Sequence, residues 1–356
     1  MSPPVAALNT AVFREAKNEP HFGEALPAAS EAVLQARIKD LKLHVAGTPL
    51  ERLIQQLYSE LEAKGISLKP ACYLTDQWGC PSGVPVIGIP FYLADPKLHL
   101  IEAALGEGPE SEEDILKYLR HEAGHCFNYA YKLYETDEWQ KVFGDYSKPY
   151  RDDYKPQPFS RKYVVHISGW YAQKHPDEDF AETFAVWLTP DSDWEKRYKG
   201  WGALKKLHYM QSVADSMGRL EPTVTLADHD VDVDDMEETV LDHYRQRRIQ
   251  DKVDVQLGEH LDQDLRNLFE ASNTNLTPAD TLIRAERQAL LQAITQYSGV
   301  SRSLVSSVLD HLTDRTASLA LTVKRDNSRE YITRLTSLVT ALAMNFLYTD
   351  RFFELD

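Results

Sequence analysis

Hydrophobic and polar residues alternate along the first part of the chain with two different periods. A leucine and valine alternation predicts a strand within residues 38–45, and the apolar residues of 66–74 predict another. Between them, apolar residues recur every three or four positions after Thr48-Pro49, which is typical of a helix with proline at its first position. The proline-interrupted apolar run 84–93 predicts either an edge strand near the surface or an irregular extended segment. This part of the chain therefore mixes helices and strands.

Two further helices are predicted downstream, separated by a long connection. The first begins after Ser111, has acidic residues in its first turn and continues to about Tyr134. The second begins near His175-Pro176 and ends before Pro190. Between them, residues 144–160 are rich in proline, tyrosine and aspartate and have no clear period. We expect that connection to contain little regular structure.

The remainder of the chain reads as helical on both sides of an acidic run. Residues 194–217 predict a helix broken near Gly200, and a helix capped at Thr277 is predicted to stop near Gly299. Ser301 caps another helix, and the last one carries apolar residues at helical spacing over 332–346. The acidic run 228–238 lacks the glycine and glutamate positions of a calcium-binding loop, so we interpret it as a solvated linker. Everything after the run is predicted to be α-helical.

Composition narrows the classes of partner. The net charge of −16 disfavours binding to nucleic acid, and no apolar run approaches the ~20 residues of a membrane span. The first residues show no basic and apolar signal pattern, so we expect a cytoplasmic protein. Three cysteines do not suggest a disulfide framework, although Cys72 and Cys80 could bridge in an oxidising compartment.

One motif on the predicted helix after Ser111 carries metal chemistry. His121 and His125 are four residues apart, so both imidazoles lie on one helix face and can reach one ion. Glu122 points to the adjoining side, where it can accept a proton from water. This is the HExxH arrangement of zinc metalloproteases, and two exposed histidines on an amphipathic helix are the alternative.

A third ligand is expected on the helix near residue 178. Glu178 and Glu182 share a face of it, so one can bind the metal while the other orients a ligand histidine. The residues leave open which glutamate binds, and His175, His166 and Asp179 are weaker candidates. Asn128 and Tyr131 stand where the metzincin motif has glycine and histidine, so that class is excluded.

The segments LRHEAGH and HPDEDFAETFAVWLTP resemble a bacterial family described as "putative zinc-binding metallopeptidases". The layout is also similar to that of lethal-factor-like gluzincins, in which a tyrosine and a Glu-x-x-Ala-Glu helix follow the HExxH helix. The resemblance to the family extends over about residues 35–215. It implies that Glu178 is the zinc ligand and that Tyr171 donates to the oxyanion, with a packed aromatic as the alternative for Tyr171.

These observations predict an α+β zincin-like catalytic domain followed by an all-α C-terminal region. One zinc ion per chain, bound by His121, His125 and Glu178, would act with Glu122 as general base on a peptide or protein substrate. A zinc amidase or deacylase acting on a non-protein amide, or a non-catalytic protein with a retained metal site, are the alternatives. The predicted divisions are a tail (1–30), the catalytic domain (31–220), an acidic linker with a helix (221–275) and a helical domain (276–356) that could bind a regulatory partner or restrict the range of substrates.

Overall fold

The computed structural model describes residues 30–105, 110–151, 154–225, 231–250 and 257–353, together with residues 253 and 255. The predicted N-terminal tail therefore lies outside the described residues. Helices dominate the described part, and strands occur only as two small pairs. The first group of helices is Ser30–Gln35 (α1), Pro49–Ala63 (α2), Pro96–Leu105 (α3), Glu112–Ala130 (α4), Asp137–Phe143 (α5), Pro176–Leu188 (α6), Trp194–Arg197 (α7), Leu204–Met217 (α8) and Val240–Gln250 (α9).

The later helices are Asp262–Leu268 (α10), Ala279–Ala285 (α11), Arg287–Ser298 (α12), Arg302–Ser318 (α13) and Ser328–Thr349 (α14). Strands Ala71–Thr75 (β1) and Val86–Pro90 (β2) pair in parallel, whereas Thr277–Pro278 (β3) and Thr322–Val323 (β4) pair antiparallel. The mixed first part agrees with the predicted α+β region, and the second part is helical, as predicted, except for the short β3–β4 pair. The zincin-like assignment stays a prediction. No helix among the described residues is long and apolar enough to span a membrane.

Buried side chains form two separate hydrophobic clusters. The first contains residues between Leu34 and Tyr244, and the second contains residues between Leu257 and Phe352. The predicted domain boundaries stay a prediction. Within the predicted linker, however, Val233 and Met236 are buried in the first cluster, so that segment is packed against the first part of the chain.

Helices α4 and α6 form the centre of the first cluster. Ser111 caps α4 and accepts from the backbone N–H of Asp114, while the Asp114 carboxylate accepts from the backbone N–H of Ser111. Further along α4, Arg120 donates two hydrogen bonds to the Glu60 carboxylate of α2, at 2.7 and 2.8 Å. Strand β2 packs on α4 and is buried along its whole length. A strand near the surface was predicted within residues 84–93, and the burial of β2 shows that the predicted exposure was wrong.

Two other segments differ from the expected elements. Residues Ile38–Leu41 form a 3-10 helix rather than a strand, because the backbone N–H groups of Ile38 and Lys39 donate to the carbonyls of Glu238 and Met236. The helix predicted over 277–299 is divided into α11 and α12, with Glu286 between them. The broad distinction between mixed and helical regions does not depend on either difference.

Candidate functional site

The two motif histidines lie on the buried face of α4. The exposed fraction is 2% for His121 and 6% for His125, and the two rings are one helical turn apart with centroids separated by 4.9 Å. Buried apolar residues of the same helix, Ala123, Cys126 and Phe127, lie beside the histidines in the sequence and pack into the first cluster. The helix thereby presents both histidines to α6, as their spacing predicts.

Helix α6 begins with His175 as its cap. The Nδ1 atom of His175 accepts from the backbone N–H of Asp177 at 3.2 Å, so its Nε2–H donates to the carbonyl of Lys148 at 2.9 Å. The Nε2 atom of His166 also has a backbone partner, the carbonyl of Lys117 at 3.0 Å. Neither alternative histidine is grouped with His121 and His125.

Three electron-rich atoms converge between α4 and α6. Nε2 of His121 lies 3.0 Å from Oε2 of Glu178, Nε2 of His125 lies 3.3 Å from the same oxygen, and the two nitrogens are 3.2 Å apart. A tetrahedral zinc ion with bonds of about 2.0–2.1 Å places its ligand atoms about 3.3 Å apart. The two histidines and Glu178 therefore fit one zinc ion.

The outward nitrogens of the same imidazoles face carboxylates. Nδ1–H of His121 donates to Oε1 of Glu182 at 3.0 Å, and Nδ1 of His125 lies 3.1 Å from Oδ2 of Asp177. A carboxylate at Nδ1 keeps the proton on that nitrogen and leaves the Nε2 lone pair directed at the ion. Both inward lone pairs therefore face one point, which is the arrangement a cation requires.

Electrostatics also favour positive charge in this cluster. Burial lowers the pKa of His121, but hydrogen bonds to Glu178 and Glu182 raise it more, to about 10. Burial raises the pKa of Glu178, but the charge of His125 and the hydrogen bonds of both imidazoles bring it well below its ordinary value. The carboxylates thus stabilise either protonated imidazoles or a bound metal cation at the same place.

Both carboxylates around His121 and His125 are anchored by other groups. Glu182 accepts from the backbone N–H groups of His166 and Ile167, at 3.1 and 2.9 Å. Asp177 accepts from Nδ2 of Asn128 at 2.7 Å and from the hydroxyl of Tyr129 at 2.5 Å. These bonds fix the carboxylates and, through them, the orientation of the imidazole rings.

Glu122 lines the same cleft but is not part of the three-atom cluster. It is 6% exposed and borders a cavity of about 430 Å³ that His121, His125 and Glu178 also line. Burial raises the pKa of Glu122, while the two imidazoles lower it, and the net pKa lies above the ordinary value. A carboxylate in this environment accepts a proton more readily than an exposed one.

The side chains of Tyr171 and Tyr150 also line the cavity. The hydroxyl of Tyr171 lies 3.5 Å from Oε1 of Glu178, and the hydroxyl of Tyr150 donates to the same oxygen. The two hydroxyls are 3.3 Å apart. Since Oε2 of Glu178 faces the imidazoles, each oxygen of this carboxylate has separate partners.

Sequence reasoning missed Asp177 and Tyr150. Asp177 directly precedes Glu178, and a second acid beside a ligand glutamate is the signal that could have suggested a partner for His125. Tyr150 lies in the aperiodic connection, where no spacing relates it to α6. Its position at Glu178 could not be found from the sequence pattern.

The separation of α4 and α6 depends on a close approach at Gly124. A Cβ atom there would lie 2.8 Å from Cα of Ala181 and 3.0 Å from Cβ of Phe184. Replacing glycine by alanine inside an isolated helix stabilises the helix by about 1 kcal/mol. Adding a methyl group to a well-packed core instead destabilises the protein by about 1–3 kcal/mol. We therefore expect Gly124→Ala to lower both the free energy of unfolding and the affinity for zinc, because it moves the ligand-bearing helices apart.

Denaturant unfolding and zinc titration of the purified variant measure these effects. Gly79→Ala is the matched control, because a Cβ atom there has no neighbour within 4 Å. Unchanged stability and unchanged zinc affinity in Gly124→Ala would show that the two helices tolerate a wider separation.

Comparison with known proteins supplies a family for the segment that contains this site. Residues 103–220 match the family model described as "Putative zinc-binding metallo-peptidase". No curated protein and no solved structure matches the chain. The matched residues include α4 and α6, and hence His121, His125 and Glu178. The similarity to this family therefore covers the segment that carries the cluster.

Proposed function

We propose that this chain hydrolyses peptide bonds with one zinc ion held by His121, His125 and Glu178. The observation that supports this most is the convergence of the three ligand atoms within 3.3 Å of one another beside Glu122. A zinc ion so held lowers the pKa of a water molecule and polarises a carbonyl group. The family match of residues 103–220 supports the same class of reaction.

The chain's own residues have distinct roles in this proposal. Glu122 accepts the proton of the attacking water and returns it to the leaving amine. Glu182 accepts from the Nδ1–H of His121, and the Asp177 carboxylate lies 3.1 Å from Nδ1 of His125, so the two acids orient the two rings. Tyr171 donates a hydrogen bond from its hydroxyl to the developing oxyanion. The walls of the cavity restrict the substrates to segments that fit between them.

A peptide-library digest tests the proposed function. We expect the zinc-loaded protein to generate new peptide termini, detected by mass spectrometry, and a zinc chelator to abolish them until zinc is restored. Intact peptides beside hydrolysed N-acyl amines would instead assign an amidase or deacylase. Intact substrates of both kinds, with zinc bound, would leave the non-catalytic alternative.

The proposed role of Tyr171 predicts a change in turnover. Tyr171→Phe removes only the hydroxyl, so zinc content and KM should stay close to wild type. We expect kcat to fall by about 10- to 1000-fold, the effect of losing one oxyanion donor. Steady-state kinetics on a peptide found in the digest measures both constants.

Tyr150→Phe is the comparison variant, because the two hydroxyls are 3.3 Å apart and both contact Glu178. A large kcat loss in Tyr150→Phe with full activity in Tyr171→Phe would transfer the donor role to Tyr150. Full activity in both variants would remove the phenols from the mechanism.

A further inference from the structure

The helical C-terminal region contacts the part of the chain that ends near Tyr171. We define residues 154–173 as the tyrosine arm. Lys155 forms an ion pair with Asp350 at 3.0 Å, and the hydroxyl of Tyr348 donates to the carbonyl of Pro156 at 3.0 Å. Trp170 Nε1–H lies 3.5 Å from the carbonyl of Tyr297. The C-terminal helical region is therefore attached to the arm at several points.

The closest of these contacts is at Gly299, the residue that ends α12. A Cβ atom on Gly299 would lie 2.6 Å from Cγ of Pro156 and 3.1 Å from Cδ1 of Trp170. Both arm residues therefore pack directly on the backbone of the helical region. An exposed ion pair such as Lys155–Asp350 contributes little, so this packing carries most of the attachment.

The arm is also tied internally, from its first residues to its last. The hydroxyl of Tyr154 donates to the carbonyl of Gly169 at 2.9 Å. The backbone N–H of Gln157 donates to the Gln173 side chain, which in turn donates to the carbonyl of Gln157, both at 2.9 Å. A displacement of residues 154–157 is thus transmitted to residues 169–173, which include Tyr171.

Trp170 has a backbone conformation that its surroundings must maintain. Its φ is 60° and its ψ is 38°, in the left-handed region that bulky residues rarely adopt. The indole is 6% exposed and meets the ring of Phe159 edge-on at 5.3 Å. This conformation determines the direction in which the next residue, Tyr171, leaves the chain.

We propose that the C-terminal helical region positions Tyr171 for catalysis by holding Pro156 and Trp170 against Gly299. Trp170 is in this sense a positioning residue, since it acts through its neighbour and not on the substrate. The inference rests on the proposed function for its catalytic consequence. The mechanical link between Gly299 and the tyrosine arm is independent of any activity.

Gly299→Ala in the full-length chain tests the link. The added methyl group displaces Pro156 and Trp170, so amide hydrogen exchange should accelerate in peptides from residues 154–173. Gly258→Ala is the matched control: Gly258 also has a positive φ, 52° against 74°, but a Cβ atom there meets nothing closer than 3.7 Å. We expect the control to leave exchange in the arm unchanged.

A milder pair of variants tests the link if Gly299→Ala does not fold. Tyr348→Phe removes the hydroxyl that donates to Pro156, and we expect a smaller acceleration of exchange in the arm. Tyr297→Phe is its control, because only the backbone carbonyl of Tyr297 contacts Trp170. Unchanged exchange in the arm of folded Gly299→Ala, or of Tyr348→Phe should Gly299→Ala not fold, would overturn the inference.

A double-mutant cycle tests whether the link acts through Tyr171. With zinc content unchanged, Gly299→Ala should lower kcat roughly 10- to 100-fold, and KM should change little. In a Tyr171→Phe background the same substitution should have almost no further effect on kcat. An equal loss in both backgrounds would overturn positioning of Tyr171. If no peptide is hydrolysed at all, the proposed function fails, while the exchange experiment still decides the link.

Discussion

Replacement of Glu122 by glutamine is expected to remove peptide hydrolysis while zinc stays bound. The amide has the same shape as the carboxylate but cannot accept a proton from water. We expect kcat to fall by about 10²- to 10⁴-fold, the usual contribution of a general base. Zinc content should remain at one per chain, because Glu122 is not among the three converging ligand residues.

Kinetics on a cleaved peptide and metal analysis of the same sample measure both parts of this expectation. Glu113→Gln is the matched control, since Glu113 is an exposed glutamate in the first turn of the same helix. It should leave kcat and zinc content unchanged. A Glu122→Gln enzyme with near-wild-type kcat would require another base, and one that loses its zinc would make Glu122 part of the metal site.

His121→Ala is expected to lose zinc and, with it, activity. His121 supplies one ligand atom and also separates the Glu178 and Glu182 carboxylates, whose oxygens lie 3.0 Å from its two nitrogens. Its removal leaves two buried acids without their shared partner. We expect the affinity for zinc to fall by more than about 100-fold, the upper range for changing a group that only orients a ligand.

Competition with a chelator of known affinity measures the change. Glu182→Gln should weaken zinc binding by about 10- to 100-fold, since it alters orientation and leaves the ligands intact. His166→Gln is the control, because the His166 ring contacts the carbonyl of Lys117 and not the three converging atoms. We expect this variant to bind zinc with the affinity of the wild type. Stoichiometric zinc in His121→Ala after dialysis against the chelator would disprove the assigned site.

The convergence of the two histidines with a glutamate of α6 could be predicted because helical spacing fixes most of it, whereas the choice of Glu178 over Glu182 came from the family resemblance. His121 and His125 need only one regular helix, and Glu178 needs only a second helix packed on the first. Asp177 could not be found in this way. Its position at His125 depends on how closely α4 and α6 approach, which Gly124 permits and no periodicity reveals.

The elements that were misjudged depend on contacts between distant segments. The alternation in residues 38–45 is typical of a strand, but backbone hydrogen bonds to residues 236 and 238 favour a 3-10 helix. Acidic composition made residues 231–238 resemble a solvated spacer, although Val233 and Met236 are buried. Both misjudgements concern the same contact, between segments about 200 residues apart.

The burial of β2 and the Glu60–Arg120 ion pair determine how much of the chain must accompany the matched segment if it is transferred to another protein. The family match begins at residue 103, yet α4 packs on α2 and β2, which precede it, and the first core extends to Tyr244, which follows it. A chimera that receives only residues 103–220 would inherit the ligands without the surfaces that support them. The smallest exchangeable module is therefore the longer continuous stretch from α1 through α9, which contains the matched segment together with the whole first hydrophobic cluster.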